Sequence, residues 1–105
     1  MAILHLDNSN FQATVEVNAL TVVDFWAVWC GPCKMVAPAF EAAAVTFDGK
    51  AVFAKVNVDD AGAVAQQFGI MSIPTMVVLK DGKEIDRSVG VLSQAALEAL
   101  VQKHL

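Results

Sequence analysis

The only two cysteines of the chain, Cys30 and Cys33, lie three positions apart and enclose a Gly31-Pro32 pair. They follow directly on the apolar run 22–28, which predicts a buried strand. Proline so close to the end of that run is typical of the beginning of a helix. Two thiols at a strand-to-helix junction can close into a disulfide without moving the fold, and a helix amino terminus stabilises a thiolate. The spacing therefore indicates thiol–disulfide exchange.

The two thiols are expected to differ. Cys30 lies at or just before the first helical turn, where unpaired backbone N–H groups and the positive helix end favour negative charge. We therefore expect its pKa to fall below the free-cysteine value of about 8.5. Lys34, one turn on, adds positive charge nearby. Cys33 lies deeper in the helix and is predicted to be the more buried and less acidic thiol.

Two other uses of the cysteines have little support. A zinc site needs four ligands, and the remaining candidates, His5 and His104, lie near opposite ends of the chain. We therefore predict that the chain has no metal site. A purely structural disulfide would constrain the unfolded chain very little, because it would close so short a loop. Redox chemistry is the favoured interpretation.

The composition limits what the chain can be. Its 105 residues suffice for one domain, 1–105, that buries its own core. A net charge of −4 argues against nucleic acid or an anionic membrane as a partner. No apolar run approaches the roughly 18 residues of a membrane span, and the amino terminus does not resemble a signal peptide. We therefore expect a cytoplasmic protein, in which a dithiol is more often catalytic than structural.

The periodicity of apolar residues predicts an α/β fold. Strand signals occupy five segments: 3–6, 21–27, 51–58, 76–80 and 83–89. Helix signals occupy four, beginning after the capping candidates Asp7–Ser9, at Cys33, after Asp59-Asp60 and at Ser93. Pro38 lies inside the second helix and should kink it. An Asp-Gly pair joins the last two strands, which predicts a hairpin. Crossover units followed by a hairpin describe a three-layer sandwich with a mixed sheet.

Residues 25–38, Phe-Trp-Ala-Val-Trp-Cys-Gly-Pro-Cys-Lys-Met-Val-Ala-Pro, closely resemble the active-site signature of the thioredoxin family. The similarity continues at Asp24 and at 55–59, 68–70, 73–75 and 89–90, so that it covers essentially the whole chain. The resemblance implies a thioredoxin fold, with a five-stranded mixed sheet flanked by four helices. It also implies a general protein-disulfide reductant, an oxidoreductase that carries electrons in its own dithiol and has no bound cofactor.

In this family the first cysteine attacks the target, so the resemblance makes Cys30 the nucleophile and Cys33 the thiol that resolves the mixed disulfide. Asp24 lies in an otherwise apolar run, and burial of an isolated carboxyl raises its pKa. Lys55, in another apolar strand, is its predicted partner. By resemblance, Asp24 takes the proton from Cys33, either directly or through a water. The alternative is a buried ion pair without a catalytic role.

The resemblance also implies a target-binding surface around the nucleophile. Pro74 would follow a cis peptide bond that aims the backbone of Ile73 toward an extended target, which would pair with it as an added strand. An ordinary trans proline at a strand edge is the alternative. The predicted contact surface consists of Trp29, Gly31, Pro32, Val58, Ile73, Pro74, Gly90 and Val91. For Val58 and Val91 taken alone, ordinary core packing is the favoured interpretation.

The implied partners are a thioredoxin reductase and diverse disulfide-containing proteins, bound by a monomer. The reductase would be a flavoprotein that uses NADPH, with a ferredoxin-linked enzyme as the alternative. Val28 and the Met71-Ser72 pair depart from the residues common in the family, which affects partner choice rather than chemistry. Two other functions stay open: a binding module on the same fold, and a periplasmic or secreted oxidant. The intact Trp-Cys-Gly-Pro-Cys string argues against the first, and the Gly-Pro pair and the missing signal segment argue against the second.

Overall fold

The computed structural model describes residues 3–105, which form one five-stranded sheet and four helices. The strands are β1 (Leu4–Leu6), β2 (Leu20–Trp26), β3 (Val52–Asn57), β4 (Thr75–Lys80) and β5 (Lys83–Val89). The helices are α1 (Phe11–Glu16), α2 (Gly31–Thr46), α3 (Gly62–Gln67) and α4 (Gln94–Gln102). The predicted order of elements is confirmed, and most boundaries differ from the prediction by one or two residues.

The sheet is mixed and has the strand order β1-β3-β2-β4-β5. β3 runs parallel to both β1 and β2, whereas β4 runs antiparallel to β2 and β5. The predicted hairpin joins β4 to β5 through Asp81 (φ 51°) and Gly82 (φ 84°). Positive φ at both central residues is the turn geometry that matches the twist of a two-residue hairpin. The expectation of a parallel half followed by an antiparallel edge is therefore confirmed.

Strand β2 lies at the centre of three layers. Successive side chains of a strand point to opposite faces. Val22 packs in a cluster with Phe40 of α2 and Leu97 of α4, whereas Val23 packs in a second cluster with Phe11 of α1 and Val64 of α3. Helices α2 and α4 thus cover one face of the sheet, and α1 and α3 cover the other. By the same alternation Asp24 lies on the face covered by α2.

Two helix caps differ from the prediction. The residue before α1 is Asn10, which makes no side-chain cap, while Asp7 instead closes the preceding turn by accepting a hydrogen bond from the Ser9 N–H at 2.9 Å. Helix α3 follows Ala61 rather than the Asp59-Asp60 pair. The N–H of Val64 in its first turn donates to Asn8 Oδ1 at 3.2 Å, across 56 residues of sequence. This acceptor was not predicted because it comes from a distant segment.

Helix α2 begins at Gly31, two residues earlier than predicted, and continues through Pro38. The predicted cap of α4 is confirmed, since Ser93 Oγ accepts a hydrogen bond from the Ala96 N–H at 3.1 Å. Within residues 3–105, no helix combines the length and the apolar character that crossing a membrane requires.

Candidate active site

The two cysteines lie at the amino terminus of α2 and are joined by a disulfide, with their Cα atoms 5.3 Å apart. Cys30 is the N-cap residue, with extended backbone angles (φ −90°, ψ 107°). Its Sγ accepts a hydrogen bond from the Cys33 N–H at 3.2 Å. Because the first N–H groups of a helix have no partner within it, this sulfur occupies the position where the helix best stabilises an anion.

Both sulfurs are covered in this oxidised state. Cys30 is 4% exposed and Cys33 is 2% exposed, so the predicted difference in burial between them is small. They pack with Ala27 and against the half-buried side chains of Val58 and Ile73. The loops that contain Val58 and Ile73 therefore cover the sulfurs.

One of those loops contains the peptide bond between Ile73 and Pro74, which is cis, as the resemblance predicts. The carbonyl oxygen of Ile73 lies 3.9 Å from Cys30 Sγ. The Pro74 carbonyl accepts a hydrogen bond from the Gly90 N–H at 2.8 Å, and Gly90 has a φ of 100°, which favours glycine. The backbone next to Cys30 is thus held against the segment that follows β5.

A shallow groove of about 320 Å³ lies beside the disulfide, and we call it the target groove after the contact surface that the resemblance predicts there. Its lining is uncharged and consists of Trp29, Val58, Ile70, Met71, Ser72 and Ile73. Trp29 is 70% exposed and Met71 is 96% exposed, which is unusual for side chains this large and apolar. The Trp29 indole is oriented by its Nε1–H, which donates to Asp59 Oδ2 at 2.8 Å.

Asp24 is fully buried, as predicted from the apolar run. Among the described residues, neither of its carboxylate oxygens has a hydrogen-bond partner. Burial raises the pKa of Asp24 from its ordinary value of 3.8 to about 6, and the positive charge of Lys55 opposes only part of that rise. Lys55 lies directly opposite Asp24 in the β2–β3 register. Its Nζ lies 4.6 Å from the centroid of the Trp26 ring, and among the described residues it forms no salt bridge with Asp24.

Comparison with known proteins agrees with this geometry. The family model described as Thioredoxin matches residues 2–103. The chain belongs to the thioredoxin family. It is 45% identical, over the full length of both chains, to proteins named thioredoxin from Staphylococcus saprophyticus and Staphylococcus haemolyticus. The structure titled "Initial Structural Analysis of Plasmodium falciparum thioredoxin" superposes with a TM-score of 0.91 at 36% identity, covering 98% of this chain and 100% of the other.

Membership of the thioredoxin family establishes the activity. The chain is a protein-disulfide oxidoreductase that acts by thiol–disulfide exchange. In this family a thioredoxin reductase returns the disulfide to the dithiol, and the substrates are disulfide-containing proteins. Thioredoxins work without a bound cofactor, because the sulfur pair itself holds the two electrons.

The structure brings most of the predicted site residues together. Cys30, Cys33, Val58 and Ile73 form one cluster, and Trp29 joins the last two in the target groove. Gly31 and Pro32 are exposed at the beginning of α2, Pro74 is buried, and Val91 is exposed beside Gly90. Within residues 3–105, no cluster of three or more possible metal ligands occurs.

Sequence reasoning missed two residues near the site. Ile70 lines the target groove but has no predicted role, whereas Met71 and Ser72, which line the same groove, are the pair that departs from the family pattern. Asp59 was predicted to cap α3, but it binds Trp29 instead. The position of Ile70, three residues before Ile73, is the signal that could have identified it as a groove residue.

Proposed function

We propose that Cys30 is the nucleophile that attacks target disulfides. The observation that carries this proposal is the position of its Sγ at the N-cap of α2, within hydrogen-bond distance of the Cys33 N–H. In the reduced protein the same N–H groups favour the thiolate form of Cys30. The thiolate forms a bond to one target sulfur, the target S–S bond breaks, and the second target sulfur leaves as a thiolate that takes up a proton.

Cys33 then resolves the mixed disulfide. Its thiolate attacks the Cys30 sulfur, the intramolecular disulfide forms, and the first target sulfur leaves. The leaving sulfur takes up a proton, so the target has then gained two electrons from the chain and two protons. Cys33 must lose its proton before it attacks, and we propose Asp24 as the group that accepts it. A carboxyl with a pKa of about 6 on the face covered by α2 suits that role near neutral pH. The charge of Lys55 limits how far that pKa rises.

The target groove and the backbone beside it hold the substrate in this proposal. An extended target segment pairs with the backbone of Ile73 as an added strand, and a side chain of the target enters the groove beside Trp29. Exposed large apolar residues next to a reactive sulfur support a docking surface for other proteins. Gly31, Pro32, Val58, Pro74, Gly90 and Val91 complete the contact surface.

The proposal also includes the location of the chain, its oligomeric state and its electron donor. The chain works as a cytoplasmic monomer, and its electrons come from a flavin-containing thioredoxin reductase that uses NADPH. The net charge of −4 supports protein substrates rather than nucleic acid or an anionic membrane.

The decisive experiment traps the mixed disulfide between the chain and its target. Cys33→Ser lets the first step proceed but removes the resolving sulfur, so targets should accumulate as mixed disulfides with Cys30. The matched control is Cys30→Ser, which should trap nothing although it keeps one thiol. If Cys30→Ser trapped targets and Cys33→Ser did not, Cys33 would be the nucleophile and Cys30 the resolving thiol. A wild-type chain that fails to accelerate insulin reduction by dithiothreitol would overturn the proposal as a whole.

A further inference from the structure

We propose that Thr75 is a positioning residue: its hydroxyl holds the segment 71–73 in the place beside Cys30 that target binding requires. This inference rests on the proposed function, because it specifies how the backbone that receives the target is kept in position. Thr75 Oγ1 donates a hydrogen bond to the Ser72 carbonyl oxygen at 2.7 Å.

The residues that follow the segment are firmly held. Thr75 is the first residue of β4, and it pairs with Phe25 of β2 on one side and with Val89 of β5 on the other. The Pro74 carbonyl is bonded to the Gly90 N–H. Thr75 is also buried, so its side chain projects from a fixed part of the sheet.

The segment 71–73 itself is held much less. Among the described residues, its backbone makes no hydrogen bond to another backbone group. Met71 and Ser72 are exposed, and Ile73 is half-buried. Free backbone donors and acceptors are what strand addition needs, but a segment without internal bonds is also free to move. The Thr75 hydroxyl supplies the hydrogen bond that ties this segment to the sheet.

The position of the segment matters because of its distance from the sulfur. The Ile73 carbonyl oxygen lies 3.9 Å from Cys30 Sγ, so a small displacement changes the register between a bound target and the nucleophile. Loss of the hydroxyl should therefore weaken the use of protein substrates. It should leave the reactivity of Cys30 toward a small disulfide unchanged, because a molecule without a peptide backbone does not use the segment.

The chain contains a matched control for this experiment. Thr21 is also a fully buried threonine, one strand away in β2, and its hydroxyl has no hydrogen-bond partner among the described residues. The same change to valine therefore removes a hydrogen bond at position 75 and none at position 21. Both substitutions keep the β-branched shape that strands favour.

Thr75→Val, Thr75→Ser and Thr21→Val would be compared with the wild-type chain in two reactions. The first is reduction of insulin, a protein substrate, and the second is reduction of 5,5′-dithiobis(2-nitrobenzoate), a small aromatic disulfide. For Thr75→Val we expect kcat/KM for insulin to fall about three- to tenfold, the size of one lost hydrogen bond, mainly through KM. The rate with the small disulfide should change less than about twofold. Thr75→Ser should restore the insulin rate, and Thr21→Val should match the wild type in both reactions.

The ratio of the two rates decides the outcome, because a partly unfolded variant loses both in proportion. An unchanged ratio in Thr75→Val, or a Thr75→Ser variant no better than Thr75→Val, would overturn the inference. A wild-type chain that reduces neither disulfide would overturn the proposed function instead, so the two failures are distinguishable.

Discussion

Replacement of Asp24 by alanine should stabilise the protein near neutral pH and above, and should do so much less in acid. In the native protein this carboxyl is buried without a hydrogen-bond partner among the described residues, and its pKa is raised to about 6. In the unfolded chain it titrates near 3.8. Between these values the native state holds a proton that the unfolded state has lost, so wild-type stability falls as the pH rises.

The magnitude follows from the two pKa values. A difference of this size corresponds to about 3 kcal/mol of unfolding free energy. The loss begins near pH 4, is complete a little above pH 6, and stays constant at higher pH. The Asp24→Ala variant cannot show this loss of stability, because alanine has no titrating group. The stability of the variant relative to the wild type should therefore increase by about 3 kcal/mol between about pH 3.5 and about pH 8. The small cavity left by the truncation shifts both comparisons equally.

Urea denaturation of both proteins in the oxidised state at the two pH values would measure the effect. With a slope of about 1.5 kcal/mol per molar urea, the relative midpoint should move by about 2 M. Asp24→Asn is the matched control: it keeps the shape of the side chain and removes the titration, so it should show the same dependence on pH. A stability difference that stays constant between the two pH values would refute the argument from burial. Insulin reduction by both variants should also be slower than by the wild type, since Cys33 would lose its proton acceptor.

Two other substitutions test the groove and the carboxyl-terminal region. Met71→Arg places a positive charge in an uncharged groove, so kcat/KM for an acidic disulfide peptide should rise severalfold at low salt and lose that gain at high salt, whereas a neutral peptide of the same length should respond little. An equal response of the two peptides would contradict this. Hydrogen bonds from His104 and Lys103 hold the pKa of Asp86 well below its usual range. Its carboxylate therefore stabilises the native state above about pH 4 and loses that effect in acid. Asp86→Asn should accordingly lower the melting temperature more near neutral pH than near pH 2, and a deficit of equal size at both would count against this account.

The fold was predictable where the signals are local. The long apolar run around Val23 predicted a strand buried on both faces, and the Asp81-Gly82 pair predicted the hairpin, because each depends on residues adjacent in sequence. The beginning of α3 was not predictable in the same way. Its first turn is bonded by Asn8, and no local pattern indicates an acceptor 56 residues away.

In the site, too, the features with a local sequence signal could be predicted and those that depend on tertiary packing could not. The spacing of the cysteines and the apolar surroundings of Asp24 were enough to predict a dithiol at a helix terminus and a buried carboxyl. The position of the Lys55 ammonium over the Trp26 ring could not be predicted, because it depends on the rotamer that a long side chain adopts in the packed structure. The hydroxyl contact of Thr75 was also missed, since it exists only after the loop before β4 has taken its shape.

The hydrogen bond between Asn8 and the first turn of α3 links the amino-terminal segment to the position of a helix that is distant in sequence. Helix α3 leads directly into Ile70 and Met71, two walls of the groove. In the proposed function, deletions that pass Asn8 should therefore alter substrate selection as well as remove the edge strand β1.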